Sequence, residues 1–231
     1  MTERLLYQFT LSPYCIKIRR ILEYKRLVYR TIEINPFNRR PVVSVSGQKR
    51  VPVLVESSGS GARKVVYDST AIARYLDEIC PDPPVYPRDP AESARVAILE
   101  DWTDEVFSRN LIAFKFTQPG NPEKAVELSK PLYPPKLIYK LLFPFGPLYL
   151  RREGKARAGG RVPAVVKADF ESDLDRLEAL ASRSKFLAGE TPTVFDFAVW
   201  GFLRTLEGLD GEELLRLRPA LAGWYAAVAG L

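Results

Sequence analysis

The chain has 231 residues, 46% of them hydrophobic, which is enough to bury one large core or two smaller ones and too apolar for a disordered chain. Histidine is absent and only two cysteines occur, Cys15 and Cys80. This excludes Ser–His and Cys–His nucleophile pairs, histidine bases, histidine metal sites and a disulfide framework. The formal charge of +6 sits in the first third, where residues 1–80 carry 14 lysines and arginines against seven acids. Such a surface attracts an anion, a carboxylate or a phosphate, but no nucleic-acid recognition motif accompanies it.

In chain order, Leu5-Leu6-Tyr7-Gln8-Phe9 reads as a short strand. Pro13 suits the first turn of a helix whose apolar face is Cys15, Ile18, Ile21 and Leu22. Val28 to Ile34 predicts a second strand, and a short helix is expected after Pro36. Val51-Pro52-Val53-Leu54-Val55 and Lys64-Val65-Val66-Tyr67 predict two strands joined by a Ser/Gly hairpin loop over Ser57 to Gly61. Ser69 is expected to cap a helix with Ile72, Leu76 and Ile79 on its inner face, giving the order βαβαββα.

The proline-rich run from Cys80 to Pro87 is the best domain boundary, and only helices are expected after it. They are a long one from Pro90 to about Phe116, one over Val165 to Leu180, one opened by Thr193 with Asp196 as a capping box, and a last one over Pro219 to Val228. The expected domains are thus 1–80, a linker over 81–90, and an all-helical 91–231. Met1-Thr2-Glu3-Arg4 runs straight into a strand with no basic-then-apolar leader, and no apolar run reaches the roughly 20 residues of a spanning helix. A soluble cytoplasmic protein without a transmembrane segment is expected, the two cysteines suiting a reducing compartment.

Three short features fall where chemistry is expected. Ser12-Pro13-Tyr14-Cys15 stands between the first strand and first helix, and resembles the Cys-Pro-Tyr-Cys of glutaredoxins with serine in place of the first cysteine. Val51-Pro52 opens the third strand, and Asp68-Ser69 opens the third helix. Taken with Leu6-Tyr7-Gln8, Asn35-Pro36, Lys49-Arg50 before Val51, and the later Phe197 to Arg204 and Glu207-Gly208-Leu209-Asp210, the chain resembles the glutathione transferase superfamily and, within it, the prostaglandin E synthase type 2-like proteins. The resemblance spans nearly the whole chain and implies a thioredoxin-like α/β domain followed by an all-α domain.

It also implies a site for glutathione as substrate. Val51, before a cis Pro52, would pair with the cysteinyl backbone as an added strand. Ser69 would offer the helix N-terminus to the γ-glutamyl carboxylate, and Asp68 would accept from the γ-glutamyl ammonium. Ser12 is the catalytic candidate: its hydroxyl would stabilise the glutathione thiolate for attack on an electrophilic small molecule, the alternative role being a cap of the first helix. Tyr14, Cys15, Phe9 and Lys49 are secondary candidates. The prostaglandin E synthase type 2-like pattern has cysteine at Ser12 and tyrosine at Phe9, so prostaglandin isomerisation and disulfide exchange are not expected here. Cys15 is read as a core thiol, and Tyr7 as strand packing.

Other readings remain open at this level. The resemblance includes proteins that hold haem through the glutathione sulfur, so a non-catalytic glutathione or glutathione–haem binding module is one alternative, and a dimeric scaffold with an inactive site is another. A homodimer is implied in each case. The aromatic run Tyr133, Tyr139, Phe143, Phe145 and Tyr149 could wall a pocket, touch a membrane surface or pack between helices. Phe107, Phe114 and Tyr139 are the residues expected to line an electrophile pocket.

Overall fold

The computed structural model describes residues 2–35, 38–57, 62–132 and 142–231. The first part forms β1 (Glu3–Gln8), α1 (Pro13–Tyr24), β2 (Arg30–Glu33), α2 (Arg40–Ser46), β3 (Val53–Ser57), β4 (Arg63–Tyr67) and α3 (Ser69–Ile79), the expected βαβαββα order. The sheet order is β2-β1-β3-β4, with β1 parallel to β2 and antiparallel to β3, and β3 antiparallel to β4. Side chains alternate across such a sheet. Val53 and Val55 therefore face one way, packing with Val42 and Val45 of α2 and with Ile34, while Leu6 and Leu54 are fully buried on the other. Tyr7 joins the α2-side cluster, as expected of a packing residue.

The remaining described helices are α4 (Pro90–Trp102), α5 (Ser108–Thr117), α6 (Asn121–Ser129), α7 (Gly146–Ala158), α8 (Pro163–Ala181), α9 (Val194–Leu203), α10 (Asp210–Arg216) and α11 (Pro219–Ala229). The long helix expected from Pro90 to Phe116 is α4 and α5 joined through a π-helical turn, Thr103–Phe107. Its expected partners α8, α9 and α11 form within a residue or two of the predicted bounds. Thr193 and Asp196 make the capping box, with the Thr193 N–H and Oγ1 both donating to Asp196 Oδ2, at 2.8 and 2.9 Å. The sequence reading missed α6, α7 and α10. Their apolar stripes are short, and α6 and α7 are opened by Asn-Pro and Gly-Pro pairs that read as turns.

Packing divides the chain into two compact units, residues 1–97 with 192–205 and 230–231, and residues 98–191 with 206–229. In the first, α9 packs on α1 although about 180 residues separate them. All ten of its residues are buried and, Asp196 of the capping box apart, none carries a charge, the pattern of a helix enclosed by its domain. The contact is at backbone distance: a Cβ at Gly201 would stand 2.7 Å from the Pro13 carbonyl oxygen and 3.2 Å from the Lys17 nitrogen. Tyr14 meets Phe202 edge to face at 5.3 Å, and Tyr24 meets Phe197 at the same separation.

The other end of α1 is held by charge. The buried Lys25 ammonium donates to Asp77 Oδ1 of α3 at 2.7 Å and to the Cys80 and Pro83 carbonyls at 2.6 and 2.7 Å. Asp77 in turn accepts the Val85 N–H at 2.8 Å and the Tyr86 N–H at 3.3 Å. The proline-rich segment, with its cis Asp82-Pro83 bond, is thereby tied to both helices.

In the second unit, Phe114 stacks on Phe170 at 4.7 Å and Phe107 lies 6.1 Å from the same ring. Asn110 donates to Asp173 at 2.7 Å beneath them, both residues being buried. Phe107 and Phe114, expected to line a substrate pocket, are thus core residues at 0% and 2% exposure; their spacing on one helix serves packing against α8. Tyr133 and Tyr139 lie outside the described residues, as do Gly59 to Gly61 of the hairpin loop.

Two substitutions test these contacts. Lys25→Met leaves the Asp77 carboxylate and two carbonyls without their cation and is expected to destabilise the protein by about 3 kcal/mol in urea unfolding. Gly201→Ala gains roughly 1 kcal/mol of helix propensity but forces the α1 backbone away at a cost of about 1–3 kcal/mol. A net loss is expected, and an unchanged unfolding midpoint would show that α1 can shift freely.

Candidate functional site

The sheet register gathers the singled-out residues. Tyr7 pairs with Val53 and Val53 pairs with Tyr67. The segment leaving β1, the segment entering β3 and the segment leaving β4 therefore lie side by side at one end of the sheet. That places Phe9 to Ser12, Val51-Pro52 and Asp68-Ser69 together.

Ser12 is the N-cap of α1. Its Oγ accepts from the Cys15 N–H at 3.4 Å, its own N–H donates to the Phe9 carbonyl at 2.9 Å, and Pro13 occupies the first helical position, where no N–H is needed. A serine hydroxyl has one proton and two lone pairs, so accepting from Cys15 leaves the proton available for donation. The residue is half-buried. Cys15 is fully buried, with the Phe9 N–H directed at its sulfur at 3.5 Å. Burial pushes the Cys15 thiol up, and hydrogen bonds from Phe9 and Ser12 only partly offset this. Such a thiol is a core group rather than a nucleophile. Tyr14 is spent on the Phe202 contact.

The turn between β1 and α1 is braced by a polar network that sequence reading did not find. Glu33 accepts from the Thr10 N–H at 2.8 Å, from Thr10 Oγ1 at 2.9 Å and from Gln8 Nε2 at 3.1 Å, while Arg19 donates to Gln8 Oε1 and to the Thr10 carbonyl. The available signal was Glu33 at the end of β2, paired in register with Gln8.

Val51-Pro52 is a cis peptide bond. Pro52 is buried, Val51 is half-buried, and the Val51 main chain makes no hydrogen bond among the described residues. Ser69 does not cap α3 as expected. Asp68 does, its Oδ1 accepting from the Thr70 and Ala71 N–H groups at 3.0 and 3.2 Å, and Ser69 is the first helical residue, 4% exposed. Either residue type suits a cap, and the choice is made by the backbone: Asp68 has φ of +75°, a conformation that costs a non-glycine residue about 1–3 kcal/mol. The two capping bonds offset that strain and engage only Oδ1 of Asp68, an exposed residue at the helix N-terminus.

Lys49 lies apart from these groups along the chain's path into β3. With Asn38, Arg39, Arg40, Val43 and Ser44 it lines an open cleft of about 640 Å³ over α2. Arg39, Arg40 and Lys49 form no ion pair among the described residues, so the cleft is a concentrated positive surface. No group of three or more acidic or cysteine side chains able to hold a metal occurs among the described residues.

A four-stranded sheet with a cis-proline before its third strand and two helix N-termini at one end, together with a mostly helical remainder, defines a thioredoxin-like domain joined to a helical one. The glutathione S-transferase N-terminal domain family matches residues 6–84 and its C-terminal domain family matches residues 126–227. The chain belongs to the glutathione S-transferase superfamily. It is 23% identical over 225 residues to glutathione S-transferase omega-1 of Sus scrofa, covering 96% of this chain and 75% of that protein. It is likewise 23% identical over 263 residues to prostaglandin E synthase 2 of Danio rerio, covering 96% and 69%. Among solved structures, a glutathione S-transferase from Methylobacillus flagellatus with glutathione bound superposes with a TM-score of 0.62 at 22% identity, covering 97% of this chain and 94% of that one.

The two thiols are expected to differ in reactivity. In native protein at neutral pH, iodoacetamide should label Cys80, which is half-buried, and leave Cys15 unmodified by mass spectrometry until the fold is opened with denaturant. Rapid native labelling of Cys15 would show that it is a reactive group.

Proposed function

We propose that this protein is a glutathione transferase in which the Ser12 hydroxyl stabilises the thiolate of bound glutathione for attack on an electrophilic small molecule. The observation that carries this reading is the register of the sheet, which sets Ser12, Val51 and Asp68-Ser69 at one end of the domain. The unbonded main chain of Val51 suits pairing with the cysteinyl residue of glutathione as an added strand. The α3 N-terminus at Ser69 suits its γ-glutamyl carboxylate, and Asp68 Oδ2 suits its ammonium. The basic cleft beside Lys49 suits the glycyl carboxylate. In this proposal residues 1–80 bind glutathione, 81–90 are the linker, 91–231 set the choice of electrophile, and the protein works in the cytoplasm as a homodimer.

A hydrogen bond to a charged sulfur contributes about 1.5–3 kcal/mol. At roughly 1.36 kcal/mol per pKa unit, the bound thiol falls by about one to two units. The test separates this role from capping. Ser12→Asp retains the cap but places a negative charge where the thiolate forms, whereas Ser12→Ala loses both cap and donor. Both variants are expected to bind glutathione, to lose the thiolate ultraviolet absorbance at neutral pH, and to conjugate chlorodinitrobenzene about ten- to a hundred-fold more slowly. If Ser12→Asp keeps wild-type turnover, Ser12 is only a cap. Tight glutathione binding without conjugation of any of a broad panel of electrophiles would instead make the protein a binding module, and no binding would make it a scaffold.

A further inference from the structure

Helix α7 is asymmetric. One face is drawn onto its neighbours through glycines: a Cβ at Gly154 would stand 2.8 Å from the Phe116 Cβ and 2.9 Å from its carbonyl carbon, and one at Gly146 would stand 2.8 Å from a Val126 methyl. Gly146, Leu150, Gly154 and Ala158, four residues apart, form this inward stripe. The opposite face is unpartnered among the described residues. Phe145, just before the helix, and Leu148 and Tyr149 in its first turn are 66%, 67% and 68% exposed. The next turns of the same face carry Arg152 and Lys155, both exposed, and neither forms an ion pair among the described residues. Across the helix there are four cations and one carboxylate, Glu153, and that carboxylate is paired with Arg157.

We propose that this face of α7 docks on an anionic lipid bilayer. Three large apolar side chains followed along one helix face by free cations reproduce the depth order of a bilayer interface, in which the acyl boundary lies beneath a layer of headgroup phosphates. The aromatic and leucine side chains enter the boundary, and Arg152 and Lys155 meet the phosphates. Charge complementarity selects an anionic surface, because an unpaired basic turn gains nothing from a neutral one. Contact is peripheral: no helix among the described residues is long and apolar enough to cross a membrane. Close seating of the inward face keeps α7 from rotating to hide the stripe.

The test is vesicle co-sedimentation of the full chain, with phosphatidylcholine alone and with phosphatidylcholine carrying roughly one-third phosphatidylserine. Wild-type protein is expected to sediment with the anionic vesicles and not the neutral ones, and to be released by high salt. Arg152→Glu combined with Lys155→Glu, and separately Leu148→Ser combined with Tyr149→Ser, should each weaken binding at least about ten-fold, since one cation near such a surface is worth roughly five-fold. All four positions are exposed, so unchanged glutathione affinity and circular dichroism would confirm that the variants fold. No sedimentation with anionic vesicles, or equal sedimentation of wild type and both variants, would overturn the proposal. So would concentration-dependent self-association in place of vesicle binding, abolished by the same variants, which would make the face an interface between copies.

Discussion

An ammonium group with no water around it must be surrounded by oxygen, and the first unit is organised about that constraint at Lys25. Its side chain is fully buried, and its three N–H groups go to one carboxylate and two main-chain carbonyls. The carboxylate belongs to α3 and the carbonyls to the proline-rich segment that follows it, so a single cation ties the end of α1 to a stretch more than 50 residues further along the chain. Asp77 is used as completely, since it also takes two N–H groups from Val85 and Tyr86. A buried pair of this kind adds little net stability over apolar packing, but it admits few alternative arrangements. Its consequence is positional: the end of α1 and the exit of α3 cannot slide relative to one another.

The opposite end of α1 is set by sterics. Gly201 lets the α9 backbone approach the Pro13 carbonyl, and the Tyr14 and Phe202 rings close the gap beside it. The Glu33, Gln8, Thr10 and Arg19 bonds then hold the turn between β1 and α1 from the sheet side. Ser12 stands between these two constraints. Its hydroxyl is fixed by the cap it makes, and the cap is fixed by a helix that charge holds at one end and close packing at the other. Its neighbours Tyr14 and Cys15 are consumed by that same packing.

How much of this the sequence carries depends on how local each cause is. Pro13 in a first helical turn, Thr193 with Asp196, and the short apolar runs that make β1, β3 and β4 are decided within a few residues, and all were readable. The cap of α3 was local too, yet it was misassigned, because both Asp68 and Ser69 are good caps and only the positive φ of Asp68 separates them. Lys25 and Asp77 lie 52 residues apart, and nothing near either one in sequence marks it as buried. Phe107 and Phe114 show a related ambiguity: aromatic side chains spaced along a helix serve a pocket or a core equally well, and Phe170 on another helix decides the matter. The basic cleft at Lys49 is also a product of the fold, since Arg39 and Arg40 come from the other end of α2. The positions that gather at one end of the sheet were legible, whereas the framework holding them was not.

What gathers at that end of the sheet is a set of hydrogen-bond donors rather than proton acceptors. There are the Ser12 hydroxyl, the Ser69 hydroxyl and the N-termini of α1 and α3, while the carboxylates described there are committed, Glu33 to the Thr10 and Gln8 donors and Asp68 through one oxygen to its own helix. With no histidine in the chain and Cys15 buried, the described residues bring neither an uncommitted base nor an exposed thiol to that end of the sheet. Such an arrangement is suited to stabilising negative charge on a ligand, not to removing a proton by transfer to a side chain. In the proposed reading, glutathione therefore supplies the nucleophile and its proton leaves to solvent. The rate at neutral pH is then governed by the fraction of bound thiol that is ionised. Each donor aimed at the sulfur raises that fraction by lowering the free energy of the thiolate, and none has to move during the reaction. In that reading the rigidity of α1, set by Lys25 and Gly201 far from the sulfur, belongs to the chemistry as much as Ser12 does.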